Sequence, residues 1–411
     1  MPRAGEAPLQ LEDAADGVDE SSDVVRESGV GDDDRWDDDP EHDCVLGHRL
    51  SGLAAAAGTN AVEPARGSHI PGIGALCGFP YASSWGSGWN EKLCGMRRPL
   101  LAVVLLLAMP GSGAAAQAPP RSAIFFYPWY SNLRHDGQYV HWAQGGHTPP
   151  FDIASAFFPM RGVYSSGDPT ILRAQMRDIA DSGVDEVVSS WWGRGSREDR
   201  RLPAVIGAAK RRGLKVGVQL EPYEGRTIDS IAADLVYIRS LGIHDVYVYR
   251  TKDFTAEDWT RVTQQPMGLR LFGQTNLVGF AARAGFAGFY TYDIVVYDAA
   301  KFDRFCRQAR AAGILCAPSV GPGYDASAAT GDPQVKDRLL GATYDSMWRA
   351  GLRAGADLVT ITSYNEWGEG TQIEPAGRGG RYESYDGTYG LHGRAAQRAY
   401  ITRTAYWTSR F

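Results

Sequence analysis

The sequence of 411 residues has few of the features that mark proteins that bind metals, nucleotides or nucleic acids. Its 8 histidines and 5 cysteines form no cluster with metal-ligand spacing, so neither a metal nor another cofactor is predicted. The glycines of SVGPGY (319–324) do not form a phosphate-binding loop between a strand and a helix. The basic segment KRRGLK (210–215) is interpreted as the solvated end of a helix, so no nucleic-acid partner is expected.

The sequence also lacks an apolar run long enough to cross a bilayer comfortably, which takes about 20 residues. The apolar segment 100–109 is shorter. It follows Met96 and two arginines, and it precedes a Pro-Gly break and several small residues. This order is the layout of a secretory signal peptide. We therefore expect a signal peptide at 96–118, with cleavage after Ala116 or Ala118, and a secreted or periplasmic product.

Negative charge is concentrated in one part of the chain. Residues 1–95 carry 18 acidic and 6 basic side chains, a net charge of −12, whereas the remainder carries 30 acidic and 36 basic ones. A composition as polar as GDDDRWDDDPEHD (31–43) cannot bury enough apolar surface to offset chain entropy. Because a signal peptide works at an N-terminus, we interpret Met96 as the true start and 1–95 as an over-extended, disordered gene start. The alternative is an acidic extension ahead of an uncleaved membrane segment at 96–118.

Only two cysteines, Cys306 and Cys316, lie beyond the expected signal peptide, in FCRQARAAGILC (305–316). They are either two core thiols, one on a helix and one on the next strand, or a disulfide. The sequence leaves both readings open. The residues from 119 to 411 suffice for one large domain, which we expect to be monomeric.

From residue 123 onward, short β-rich segments alternate with longer segments whose apolar residues recur at helical spacing. Nearly continuous apolar strands between helices are typical of a parallel sheet covered on both faces. Eight such units predict an α/β fold, a single (β/α)8 TIM barrel over residues 119–411, with a doubly wound open sheet as the alternative. The predicted strands are 123–130, 185–192, 214–223, 245–250, 269–275, 286–293, 314–324 and 357–367.

Most of these predicted strands end in aromatic or acidic residues. In a (β/α)8 barrel the strand ends meet at one rim, where catalytic groups lie. Aromatic walls and a carboxylate floor suit the C–H faces and hydroxyls of sugars. A single tryptophan or tyrosine is more often a packing residue, so the prediction depends on the whole set. The set is Tyr127, Trp129, Tyr130, Trp191, Trp192, Glu221, Tyr223, Tyr290, Tyr292, Asp293, Tyr324, Asp325, Glu366, Trp367 and Glu369.

The segment ITSYNEWGEGTQIEP (361–375) places two glutamates, Glu366 and Glu369, directly after the last predicted strand. Residues three apart face opposite ways on a regular strand. The two acids can therefore share a site only if the chain turns between them, which Gly368 and Gly370 permit. Two acids held close have pKa values that separate, which supplies the proton donor and the base or nucleophile of glycoside hydrolysis. The alternative is a polar loop with solvated glutamates.

At these residues the sequence resembles glycoside hydrolase family 99, the endo-α-1,2-mannosidases and endo-α-1,2-mannanases. The resemblance covers about residues 123–405, with eight motifs in the same order as in the family. The motifs are YPWY (127–130), DGQYVHW (136–142), PPFDIASAFFPMRGVYSSGDP (149–169), SWW (190–192), LEPYEGR (220–226), AGFAGFYTYD (284–293), PSVGPGY (318–324) and ITSYNEWGEGTQIEPA (361–376).

The resemblance implies a metal-free (β/α)8 hydrolase that cleaves within α-mannan or another mannose-containing oligosaccharide, with retention of configuration. It implies that Glu369 is the general acid/base on the leaving oxygen. It also implies that Glu366 deprotonates the sugar's own 2-hydroxyl, which attacks C1 through a 1,2-anhydro intermediate instead of an enzyme nucleophile. Glu374 is interpreted as a supporting residue. The candidate substrate-binding residues are Tyr127, His141, Trp191, Trp192, Glu221, Tyr223, Tyr290, Tyr292 and Trp367.

One residue departs from the family pattern. The family reads NEW-His-Glu-Gly, and here Gly368 stands at the histidine position. Both acids are retained, so the expected reaction class is unchanged. Glycine leaves more room in the loop, which predicts altered substrate contacts or altered tuning of Glu369.

Two other functions fit parts of the sequence. WbsX-like proteins of polysaccharide biosynthesis, often treated as glycosyltransferases, have a similar NEW-x-EG ending but act inside the cell on activated donors. The expected signal peptide and the HW, LEPYEGR and PSVGPGY motifs favour the hydrolase instead. A non-catalytic carbohydrate-binding barrel would have no need of the pair Glu366 and Glu369.

Overall fold

The computed structural model describes residues 119–377 and 379–411. The segments 1–95 and 96–118, with the expected disorder and signal peptide, lie outside these residues. Eleven strands occur in the described part of the chain. They are β1 Ser122–Phe126, β2 Glu186–Trp191, β3 Lys215–Leu220, β4 Asp245–Val248, β5 Arg270–Gln274, β6 Gly288–Tyr290, β7 Leu315–Ala317, β8 Ser319–Val320, β9 Tyr324–Asp325, β10 Val335–Lys336 and β11 Val359–Ile361.

Nine of these strands form one sheet in the order β7-β6-β5-β4-β3-β2-β1-β11-β8, and their pairings are parallel. Only Pro318, which has no N–H for a ladder bond, separates β7 from β8 in the chain. The two therefore act as one stave, which pairs with β6 through β7 and with β11 through β8. Eight parallel staves close the sheet, which confirms the predicted (β/α)8 barrel.

The helices follow the staves along the chain and have local start and stop signals. Thr227 and Thr255 each begin a helix with a capping box, which satisfies free backbone N–H groups. Gly313 and Gly355 end two helices in the left-handed conformation that glycine adopts readily. The α-helices are Leu133–Asp136, Pro169–Asp181, Arg197–Lys210, Ile228–Ser240, Ala256–Thr263, Val278–Arg283, Phe302–Ala312, Ser327–Thr330, Ala342–Ala354, Gly393–Gln397 and Ala399–Thr408. Within the described residues, none of them has the length and apolar character needed to cross a membrane.

Aromatic side chains from four staves fill the barrel interior. The Tyr247 ring stacks on Phe272 at a centroid distance of 5.0 Å and meets Phe125 and Tyr290 at 5.8 and 5.6 Å. The hydroxyl of Tyr247 donates to the buried Glu186 carboxyl at 2.8 Å, so its polar end is satisfied. The interior is thus a packed core, and the space for a ligand lies at the rim.

Cys306 and Cys316 form a disulfide, with Cα atoms 5.2 Å apart. Cys306 lies on the buried face of helix Phe302–Ala312, and Cys316 lies in β7. Of the two readings that the sequence leaves open, the structure therefore has the cross-link, which joins this helix to the strand that follows it.

Candidate active site

Three glutamates lie at the carboxyl ends of the staves. Glu221 directly follows β3, and Glu366 and Glu369 lie in the loop after β11. Glu221 and Glu366 are only 4% and 5% exposed, whereas Glu369 is partly exposed. Tyr127, just after β1, is surrounded by these groups: burial raises its pKa, and the charges of Glu221, Glu369 and Glu366 raise it further. The three carboxyl groups therefore lie around one phenol at the barrel rim.

The loop after β11 is tied to the end of β1 by a buried asparagine. The Asn365 amide accepts from the Tyr127 N–H at 2.8 Å and donates to the Tyr127 carbonyl at 3.0 Å. One residue later, the Glu366 N–H donates to the Ser363 hydroxyl at 2.8 Å. These bonds fix the backbone at Asn365 and at the N–H of Glu366, so this acid lies at a defined position beside the end of β1.

A glycine turn directs the second acid. Gly370 has a φ of 64°, and a Cβ there would lie 2.9 Å from the backbone N and O of Asp325. Only glycine fits this approach, which brings the Glu369 carbonyl to the Asp325 N–H at 2.9 Å. Gly368 has no such constraint, because its φ lies outside the left-handed region and its nearest neighbours are side-chain atoms. Of the two glycines that permit a turn, Gly370 is the one whose backbone requires it.

The environment of Glu369 suits a group that exchanges a proton near neutral pH. Burial, followed by the charge of Asp293, raises the pKa of Glu369 to about 7, and the hydrogen bond from Tyr292 opposes this rise. The Tyr292 hydroxyl lies 3.3 Å from Glu369 Oε2 and is also hydrogen-bonded to the Tyr127 hydroxyl. A carboxyl with a pKa near the working pH can act as acid in one step and as base in the next.

Glu366 lies in an environment that strengthens it as a base. Burial raises the pKa of Glu366 above its ordinary value, and the charge of Glu369 adds to this rise. The Gly368 N–H donates to Glu366 Oε1 at 3.1 Å, which favours the ionised form. Because each carboxylate disfavours ionisation of the other, we infer that the pair holds one proton between them in its reactive form.

Glu221 is a third acid with a raised pKa. Burial raises the pKa of Glu221 to about 8, against the hydrogen bond from Ser190 and the charge of Arg226. The Ser190 hydroxyl donates to Glu221 Oε1 at 2.8 Å. At neutral pH the Glu221 carboxyl is therefore largely protonated and can donate a hydrogen bond.

Glu374 lies outside this cluster and is fully buried. It accepts from Arg161 at 3.1 Å, from Tyr164 at 2.7 Å and from the indole N–H of Trp367 at 2.9 Å. Trp367 is also fully buried, and its backbone N–H donates to the Tyr130 hydroxyl at 3.0 Å. Glu374 thus fixes Trp367, and Trp367 anchors the loop between Glu366 and Glu369.

The other candidate binding residues differ in their position relative to the barrel rim. The His141 ring stacks on Trp129 at 4.1 Å, and the Trp129 ring in turn lies 4.6 Å from the ring of Tyr127. Trp191 has no exposed surface, and its indole donates to Asp199 at 2.9 Å, so it lies behind the rim. The hydroxyl of Tyr223 bonds Ser230 at 2.9 Å and also bonds Asp234, away from the three glutamates.

Two further candidates carry polar groups that are not satisfied. The indole N–H of Trp192 and the hydroxyl of Tyr290 are buried and have no hydrogen-bond partner among the described residues. Tyr290 lies close enough to Glu221 for that charge to raise its pKa, after burial. Buried polar groups without partners are uncommon in proteins, and they suggest a functional role.

Several contributors to the site escape motif reasoning. Asn365 lies within the NEW motif (365–367), but its role is not predicted by that motif, because its bonds to Tyr127 cross 238 residues of sequence. Ser190, the donor to Glu221, is one of many strand serines in the sequence. Asp293 ends a predicted strand, but its effect on Glu369 depends on spatial proximity alone. Within residues 119–377 and 379–411, no group of three or more His, Cys, Asp or Glu side chains could hold a metal ion.

The chain is similar to known proteins in sequence and in fold. The model of the family described as "Glycosyl hydrolase family 99" matches residues 121–258 and 265–411. The chain is 31% identical to glycoprotein endo-alpha-1,2-mannosidase of Xenopus laevis, over 62% of this chain and 69% of the relative. It is 30% identical to a glycoprotein endo-alpha-1,2-mannosidase-like protein of Danio rerio, over 62% and 70%. The solved GH99 endo-alpha-mannosidase from Bacteroides thetaiotaomicron is similar with a TM-score of 0.62 and 27% identity, over 71% of this chain and 97% of that one.

Proposed function

The chain belongs to glycosyl hydrolase family 99, and we propose that this glycoside hydrolase cleaves internal α-mannosidic bonds, of the α-1,2-mannan type, with retention of configuration. The proposal depends chiefly on one observation. Two acids with raised pKa values, Glu366 and Glu369, lie in one loop at the barrel rim, and Glu369 keeps contact with solvent. That pair fits an acid and a base acting on one glycosidic bond.

In the first step, Glu369 protonates the glycosidic oxygen and Glu366 takes the proton of the 2-hydroxyl on the sugar that supplies C1. This hydroxyl must be free, so that sugar is joined to the preceding one through another oxygen. In an α-mannoside the 2-hydroxyl and the leaving oxygen are both axial and lie on opposite faces of the ring. The 2-oxygen therefore attacks C1 from the face opposite the leaving group. The bond between C1 and the leaving oxygen breaks, and a 1,2-anhydro sugar forms without an enzyme nucleophile.

In the second step, water attacks C1 and opens the three-membered ring. Glu369, now ionised, takes a proton from the water, and Glu366, now protonated, returns its proton to the 2-oxygen. Two inversions at C1 give net retention, and both acids end in their starting states. The raised pKa values support this cycle, because each group must hold a proton in one step and release it in the other.

Digestion by the purified protein of an α-mannan with internal α-1,2 bonds is expected to release short oligosaccharides whose new reducing ends have the α-configuration when first formed. The sugar that supplies C1 must be joined to the preceding sugar through an oxygen other than O2, so that its 2-hydroxyl is free. Proton NMR of the anomeric signals and mass spectrometry of the products measure both features. A requirement for a nucleotide-sugar would instead identify a glycosyltransferase. If the protein binds the mannan but leaves it uncleaved, it is a carbohydrate-binding barrel.

We also propose that the enzyme is exported, through the segment that starts at Met96. The support is the order of basic, apolar and small residues in 96–118. Mass spectrometry of the protein secreted by its natural host is expected to find the first peptide just after Ala116 or Ala118. Recovery of any peptide from 1–95 would contradict the interpretation of Met96 as the start.

A further inference from the structure

Gln144 connects a candidate binding residue to the catalytic loop. It lies in the short turn Gln144–Gly146, and its side-chain Nε2 lies 3.2 Å from Nδ1 of His141. An amide N–H can only donate, so Nδ1 of the imidazole accepts and the ring hydrogen must be on Nε2. Burial, together with the charges of Arg197 and Arg201, lowers the pKa of His141 to about 3, so the ring stays neutral.

The His141 ring is held in one orientation. It stacks on Trp129 with an interplanar angle of 13° and meets the edge of Tyr130 at 5.9 Å. Its backbone has a φ of 65°, a strained conformation for histidine that persists only where the surroundings enforce it and that is frequent at functional sites. Among the described residues, Gln144 alone hydrogen-bonds this ring, so the Nε2–H donor is left for another molecule.

The other end of the Gln144 amide reaches the space beside Gly368. A Cβ placed at Gly368 would lie 3.4 Å from Gln144 Oε1, 3.2 Å from Glu366 Oε1 and 3.4 Å from the Ala329 Cβ. Because the backbone of Gly368 does not demand glycine, the effect of this glycine is the room it leaves. An acceptor oxygen and the proposed base therefore border the same small space.

The turn that carries Gln144 is itself held in place by hydrogen bonds and close backbone contacts. His147, the residue after the turn, contacts the Ala328 carbonyl at 3.0 Å through Nε2 and Asp152 at 2.6 Å through Nδ1. A Cβ at Gly145 would lie 2.5 Å from the Ala328 oxygen, so the backbones are in close contact there. The position of the Gln144 amide is thus set by packing against helix Ser327–Thr330.

We propose that Gln144 is a substrate-positioning residue: its amide N–H holds His141 as the Nε2–H donor, and its Oε1 accepts a sugar hydroxyl in the space that Gly368 leaves open. The ligand class is a neutral sugar next to the cleaved bond, and the proposal rests on the function proposed above. In addition to the acids that carry out the reaction, the sugar thus meets a hydrogen-bond donor, Nε2–H of His141, and an acceptor, Oε1 of Gln144, at a fixed distance from each other.

Gln144→Glu separates this role from a structural one, because it keeps the shape of the side chain but replaces the amide donor with acceptors. His141 is then expected to move its hydrogen to Nδ1. The nitrogen-15 NMR signals of the histidine ring, assigned by their absence in His141→Phe, report the tautomer in the free protein. Gln264→Glu is the matched control, since that exposed side chain lies at the end of helix Ala256–Thr263, away from the carboxyl ends of the staves.

On α-mannan oligosaccharides whose cleaved sugar has a free 2-hydroxyl, Gln144→Leu is expected to raise KM about tenfold with kcat changed less than about threefold, as befits the loss of one or two hydrogen bonds. Gly368→Ala is expected to raise KM similarly by filling the space. An unchanged KM, or a raised KM with the His141 tautomer unaltered in Gln144→Glu, would overturn the proposal. If the wild-type protein cleaves no mannan, the proposed function fails, whereas the tautomer measurement still reports on Gln144.

Discussion

Replacing Glu369 by glutamine is expected to lower kcat by about 10²–10⁴-fold on an α-mannan whose cleaved sugar has a free 2-hydroxyl, the usual contribution of a general acid. Glutamine keeps the size of the side chain and its contact with Tyr292 but cannot give up a proton to the leaving oxygen. That loss corresponds to about 3–5 kcal/mol of transition-state stabilisation. Binding of the oligosaccharide, measured by calorimetry, is expected to change little, because the ground state does not need the transferred proton.

The leaving group offers a direct check of this assignment. Fluoride departs without a proton donor. The initial release of fluoride from an α-mannobiosyl fluoride with a free 2-hydroxyl on the fluoride-bearing sugar is therefore expected to depend on Glu369 far less than cleavage of mannan does. Glu257→Gln, an exposed carboxyl on helix Ala256–Thr263, is the matched control and is expected to leave both rates unchanged. Equal losses on the fluoride and on mannan would mean that Glu369 does not protonate the leaving oxygen.

The pKa of Glu369 predicts how activity falls on the alkaline side of the pH profile. Burial, followed by the charge of Asp293, raises the pKa of Glu369 to about 7. A general acid acts in its protonated form, so kcat/KM is expected to fall as the pH rises above about 7. In Asp293→Asn the loss of that charge is expected to shift this limb to lower pH.

The barrel could be predicted from the sequence because its signal is local and repeated. Apolar strands alternate with helical segments along the whole domain, and the eight predicted strands correspond to the eight staves. Pro318 interrupts one stave without ending it, because the chain on either side still pairs with its neighbours. The aromatic and acidic residues at the strand ends could also be predicted to share one site, because parallel staves bring their carboxyl ends to one rim.

The fine arrangement of the site could not be predicted, because it depends on contacts between distant segments. Trp191 and Trp192 are adjacent in sequence, yet the first is buried on Asp199 and the second has an unsatisfied indole N–H. The sequence does not distinguish them. The support of Trp367 by Glu374 also involves Arg161 and Tyr164, more than 200 residues away, so no local pattern encodes it. The disulfide was undecidable because ten residues of separation fit either state.

Replacing Glu366 by glutamine is expected to lower kcat on mannan by about 10²–10⁴-fold as well, but through a different proton. Burial and the charge of Glu369 raise the pKa of Glu366, which makes its carboxylate a stronger base toward the weakly acidic 2-hydroxyl. Glutamine cannot accept that proton. Unlike Glu369→Gln, this variant is expected to lose activity on mannan and on the fluoride alike, because attack by the 2-oxygen is needed with either leaving group.

A substrate without the 2-hydroxyl on the cleaved sugar tests whether Glu366 acts through that hydroxyl. The wild-type enzyme is expected to lose cleavage of this 2-deoxy substrate, while calorimetry still detects binding. If Glu366 and the hydroxyl act as one unit, removing both costs no more than removing either, so the two losses are strongly non-additive. If the two losses are instead independent and multiply, Glu366 acts directly on C1 or on the attacking water and not on the 2-hydroxyl. A covalent adduct between Glu366 and the sugar, detected by mass spectrometry, would have the same meaning, because participation by the 2-hydroxyl leaves no bond between enzyme and substrate.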